Sequence, residues 1–80
     1  MFIEVSRIIV GNESGKPYTT DQITVNTQVV LYIEQTSRMR VRREHDEQAT
    51  MLRTSKLHMM GGGSILVVGT PNSITARTRG

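Results

Sequence analysis

Apolar residues come in short runs, partly alternating with polar ones and punctuated by Gly, Pro and Asn. Phe2 to Val10 is rich in β-branched residues and predicts a first strand with Ile3, Val5 and Ile9 on one buried face. Gly11-Asn12-Glu13-Ser14-Gly15-Lys16-Pro17 has the composition of a loop. A second strand is expected at about Tyr18 to Val25, with Ile23 and Val25 inward. After Asn26-Thr27-Gln28, the run Val29 to Ile33 fits either a strand or one or two helical turns capped by Asn26 or Thr27. Val and Ile lose rotamer freedom in a helix, which favours strand; the pattern alone leaves both open.

The C-terminal third is easier to read. Lys56 to Met60, Gly61-Gly62-Gly63 and Ser64 to Val68 predict a strand, a tight turn and a strand, with Leu57, Met59, Ile65 and Val67 buried. Thr70-Pro71-Asn72-Ser73-Ile74 predicts an N-cap, a proline at the first helical position and a short helical turn. Arg77-Thr78-Arg79-Gly80 is expected to fray. The expected fold is mainly β: one domain over residues 1–80, a small antiparallel sheet or barrel-like meander of about four to six strands, with a short C-terminal helical turn.

One segment breaks the pattern. At about residues 37–55 lies a charged insert or arm: Arg38, Arg40, Arg42, Arg43 and Arg53, with Lys56 just beyond it, are six of the ten basic residues, and Glu44, Asp46 and Glu47 are bunched among them. Read as a strand, it projects Arg38, Arg40 and Arg42 from one face and Met39 and Val41 from the other. Glu44 to Gln48 would then turn, and Ala49 to Ser55 would return. Read as a helix, it gives basic-first pairs four residues apart, the weaker orientation, and no continuous apolar stripe. The ribbon is the better reading, with a helix or a loop as alternatives.

Composition narrows the class. The chain has 80 residues, no cysteine, no tryptophan and only 36% apolar residues, so disulfides and thiolate metal sites are excluded and the core is thin. Self-association is the expected support. Eight arginines against two lysines, in a chain of net charge +3, favour planar multi-donor recognition of anions. Met1 to Val10 carries Glu4 and Arg7 and lacks a signal-peptide pattern, and no segment reads as a membrane span, so a cytoplasmic location is expected.

The spacing Val25-Asn26, three residues, Val30, two residues, Ile33-Glu34 resembles the V-N-x-x-x-I-x-x-I-E pattern of the small FlbD-like flagellar proteins. Similar short reading frames occur in phages and prophages. The second half of that pattern, a strand, a Gly turn and I-x-V-x-E-S-x-x-E-V, is echoed by Thr54, Leu57, Met59, Gly62, Ile65, Val67, Gly69, Thr70 and Ile74. Gly69 and Ser73 stand where the pattern has acids, and residues are inserted between Glu34 and Thr54. The resemblance implies a small β-sheet protein with a terminal helix and no catalysis, and it supplies no ligand residue.

Gly11 to Lys16 is not a phosphate loop: three residues separate its glycines where four are needed, and Pro17 follows the Lys. His45, Asp46 and Glu47 are consecutive and His58 is the only other histidine, so no zinc-ligand spacing exists. No Ser or Thr sits in a recognisable nucleophile elbow. The expected function is therefore a non-catalytic small binding protein, of the phage- or prophage-accessory kind, without cofactor or metal. It would engage a nucleotide or nucleic acid through Arg38, Arg40, Arg42, Arg43, Arg53 and Lys56. Two alternatives stand beside it. One is a protein-interaction module or inhibitor docking on an acidic host protein, with Met39, Met51, Met59 and Met60 as an adaptable contact. The other is a homo-oligomeric structural subunit.

Overall fold

The chain forms β1 (Phe2–Ile9), β2 (Tyr18–Asn26), a 3₁₀ turn (Thr27–Val29), β3 (Val30–Arg42), β4 (Thr50–Met59), β5 (Ser64–Val68) and α1 (Pro71–Thr78). The structure is a computed structural model that describes residues 1–9, 15–43 and 45–78. The expected loop at Gly11 to Ser14, the end of the first strand at Val10, Glu44 and the Arg79-Gly80 terminus lie outside the described residues.

Each strand pairs with its neighbours in sequence and the sheet closes into a barrel, β1-β2-β3-β4-β5. The β1–β2 ladder runs antiparallel from Phe2 opposite Asn26 to Ile9 opposite Thr19. The β3–β4 and β4–β5 ladders are antiparallel as well. Closure is much slighter. β1 meets β5 at Arg7 opposite Val67. β2 meets β3 in parallel, at Tyr18 opposite Val41 and Thr19 opposite Arg42. The sheet is therefore mixed. Asn26 resolves the ambiguity after β2: its side chain accepts from the Gln28 N–H at 3.0 Å, capping a single 3₁₀ turn before β3 begins.

Two hydrophobic clusters fill the fold. Ile3, Val5, Val25, Leu57, Val67 and Ile74 form the larger, and Ile8, Val41 and Val68, with Tyr18, Met39, Leu52 and Leu66 packed on them, the smaller. Adjacent residues Val67 and Val68 serve different clusters, so β5 is covered on both faces, as its unbroken apolar run Ile65-Leu66-Val67-Val68 suits. Along β1 the buried side also changes, from Ile3 and Val5 to Ile8. Ile9, expected inward, is 40% exposed for that reason. Simple alternation fails here because the two clusters cover opposite faces of β1 at its two ends.

α1 closes one side of the larger cluster with Ile74, 1% exposed. Thr70 caps it: its hydroxyl accepts from the Ser73 N–H at 3.1 Å while the Ser73 hydroxyl accepts from the Thr70 N–H at 3.0 Å. Gly69 turns the chain into this cap with φ of 122°, where a Cβ would meet Ser73 Oγ at 3.1 Å. The helix runs through Arg77 and Thr78, which do not fray. Arg77 Nη1 donates to the Glu4 carbonyl at 2.6 Å and Thr78 Oγ1 to the Thr75 carbonyl at 2.7 Å.

Candidate anion-binding face

Residues 37–42 are the last part of β3 and residues 50–55 the first part of β4, so the charged segment is a ribbon continuous with the sheet. Neither a helix nor a separate projecting arm describes it, since Val41 is 1% exposed in the smaller cluster and β2 pairs beside it. The expected alternation holds there: Met39 and Val41 face inward, while Arg38, Arg40 and Arg42 are exposed.

A bulge creates this arrangement. Thr36 pairs with Thr54 and Met39 with Leu52, so Ser37 and Arg38 together face Arg53. One extra residue in a strand reverses the side on which every later side chain falls. Before the bulge, Tyr32 and Glu34 share a face with Lys56 and His58. After it, Met39 and Val41 share that face with Leu52, and the arginines are sent to the other. Thr54, 0% exposed, holds the bulge: its Oγ1 donates to the Ser37 carbonyl at 2.8 Å and lies 2.6 Å from Thr36 Oγ1. With its proton committed to Ser37, Thr54 must accept from Thr36.

Four of the six expected residues come together. Arg38, Arg40 and Arg42 on β3 and Arg53 on β4 share one face, with exposed Met51 opposite Arg40. Alternate residues along a strand stand about 6.6 Å apart. Arg40 Nη2 donates to the Gly15 carbonyl at 2.7 Å, fixing it against the start of β2. Among the described residues, no carboxylate forms an ion pair with Arg38, Arg42 or Arg53. The other two lie apart. Arg43 lines a small cleft with Ser6, Thr20, Asp21, Gln22 and His45. Lys56 sits opposite Glu34, on the other face of β4, and lines a shallow cleft with Arg7 and Ser64.

Two clusters carried no signal in the sequence. Tyr32 stacks on His58, ring centroids 4.1 Å apart and 12° from parallel, and His58 Nε2 lies 2.8 Å from Glu34 Oε1. Arg7 makes a two-pronged contact with Asp21, Nε to Oδ1 at 3.0 Å and Nη2 to Oδ2 at 2.6 Å. These hydrogen bonds hold the Asp21 carboxyl below its ordinary value; desolvation opposes them, and the Arg7 charge adds to them. Both clusters depend on cross-strand register, which residue spacing does not reveal.

Among the described residues no three His, Cys, Asp or Glu side chains gather as metal ligands would, and no helix is long and apolar enough to cross a membrane. No protein-family model, curated protein or solved structure matches the chain.

Proposed function

We propose that this chain is a non-catalytic binding protein that takes a phosphate-bearing ligand, foremost a polynucleotide, on the face formed by Arg38, Arg40, Arg42 and Arg53. The observation that carries this reading is the bulge, which turns Arg38, Arg40 and Arg42 to the side of the β3–β4 ribbon where Arg53 stands, with no carboxylate in an ion pair with Arg38, Arg42 or Arg53 among the described residues. Like charges side by side on a sheet repel one another. An anion bound across them removes that repulsion and offers oxygen acceptors matched to the planar guanidinium fork.

A ribbon face suits contact along its length. The bases have little to stack on near it, since the only described aromatics are Phe2, Tyr18 and Tyr32. Recognition would rest on backbone phosphates, with little dependence on sequence. Fluorescence anisotropy of a labelled single strand and of a labelled duplex, each at low and moderate salt, tests this. Affinity should fall steeply as salt rises, because each phosphate contact releases counterion. Affinity that does not change with salt, or no binding of either probe at low salt, removes the polynucleotide reading.

A further inference from the structure

A groove of about 510 Å³ lies between α1 and the start of β3. One wall is Pro71, Ile74, Thr75 and Thr78, spaced as one stripe of a helix. The other is Val30, Leu31, Tyr32 and Ile33, four residues in succession. Side chains of a strand alternate between faces. A bulge at Leu31 accounts for one change of side; for both Tyr32 and Ile33 to reach the groove, it must run along the margin of the strand.

That margin is open. β3 pairs with β4 along one edge, but on its other edge, among the described residues, β2 meets it only at Val41 and Arg42. Among the described residues other than Lys16 and Pro17, no further backbone group pairs with this second edge of β3. A row of unsatisfied N–H and C=O groups beside a trough of mixed apolar and hydroxyl lining is a template for one more strand. The trough is lined by Ile3 and Leu57 as well, and among the described residues no charged side chain enters it, only the hydroxyls of Thr27, Thr75, Thr78 and Tyr32. Further along β3 stands Arg38, exposed and without an ion-pair partner among the described residues.

We infer that this groove receives an extended segment of a partner protein, added as a short strand to the open edge of β3. Its apolar side chains at alternate positions would enter the trough, and an acidic residue at the end nearer the bulge would meet Arg38. The bulges at Leu31 and at Ser37-Arg38 interrupt regular pairing on either side, so the added strand is confined to the stretch opposite Tyr32 to Thr36. An uncharged trough followed by a cation selects for that order of apolar and acidic residues. A basic segment is repelled by a chain of net charge +3.

The test is to pan a random peptide display library on the intact protein and synthesise the enriched sequences. Enriched peptides should alternate apolar residues and carry Asp or Glu at one end. Thr75→Arg fills the groove from an accessible helix position and should weaken binding at least tenfold while the amide NMR spectrum stays folded. N-methylating alternate peptide nitrogens should weaken binding at least tenfold in one phase and leave it unchanged in the other, because only one phase donates to β3. Arg38→Glu should weaken acidic peptides and spare versions with the acid replaced by Ser. The inference is overturned if no peptide is enriched, or if binding ignores Thr75→Arg and both N-methyl phases. It is also overturned if the free protein sediments as a dimer that Thr75→Arg dissociates, since a second copy would then occupy the groove.

Discussion

The buried hydroxyl of Thr54 donates to the carbonyl of Ser37 at 2.8 Å, and this bond sits at the point where β3 changes the side it shows to solvent. Thr36 completes the arrangement at 2.6 Å from Thr54 Oγ1. Thr54→Val keeps the shape but leaves the Ser37 carbonyl and the Thr36 hydroxyl without their partner. A loss of about 1–3 kcal/mol in stability is expected, read from the urea midpoint at constant m-value. Thr54→Ser should retain most of that stability. An unchanged midpoint for the valine variant would show that the bulge does not depend on this hydroxyl.

Gly69 offers a backbone prediction. Its φ of 122° is one that side-chain-bearing residues rarely adopt, and an added Cβ would press on Ser73 Oγ, half of the helix cap. Gly69→Ala should cost about 1–3 kcal/mol. Amide exchange should quicken along α1 before it does in β4. Wild-type stability in this variant would mean that the turn relaxes into another conformation.

For the arginine face, the expected signature is a change in salt dependence. Arg38→Gln and Arg53→Gln should each reduce the slope of log affinity for a polynucleotide against log salt by about 1. Lys56→Gln, altered on the opposite face of β4, should leave the slope as it was. Equal losses from all three substitutions would indicate diffuse attraction to net charge and no defined face.

The Arg7–Asp21 contact fixes a dependence on acidity. Hydrogen bonds from Arg7 lower the Asp21 value in the folded chain. A carboxyl lowered on folding adds stability that is complete above its unfolded value of about 3.9 and is lost as pH falls through the lowered folded value. Asp21→Asn should remove that part of the acid sensitivity. Carbon-detected NMR titration gives the direct check: Asp21 should titrate below an ordinary aspartate, and titration at or above that value contradicts the arrangement.

Much of the framework was legible in the residues. Pro71 after Thr70, the Gly61-Gly62-Gly63 turn and the apolar run Ile65 to Val68 gave the final hairpin and helix because each depends on local chemistry. The outward placement of Arg38, Arg40 and Arg42 also followed from alternation. Ile9 was misplaced, because alternation cannot say where a twisted sheet changes its buried side. Lys56 was grouped with the arginines by nearness in sequence, but an extra residue on the opposing strand set the two faces apart. The groove beside β3 was invisible, since Val30 to Ile33 and Pro71 to Thr78 meet only in three dimensions.

The slight closure of the ring has a kinetic consequence. The β3–β4 hairpin joins segments close in sequence, and isolated hairpins form in about 1–10 μs. Among the described residues one β1–β5 pair, Arg7–Val67, and two β2–β3 pairs must instead bring together distant parts of the chain, with few bonds to reward each encounter. Folding should therefore wait on these seams, on the millisecond-to-second scale of other closed β topologies. During that wait a nearly complete sheet still has loose margins through which two molecules could exchange strands, so refolding yield should decline with protein concentration even where the folded chain is stable.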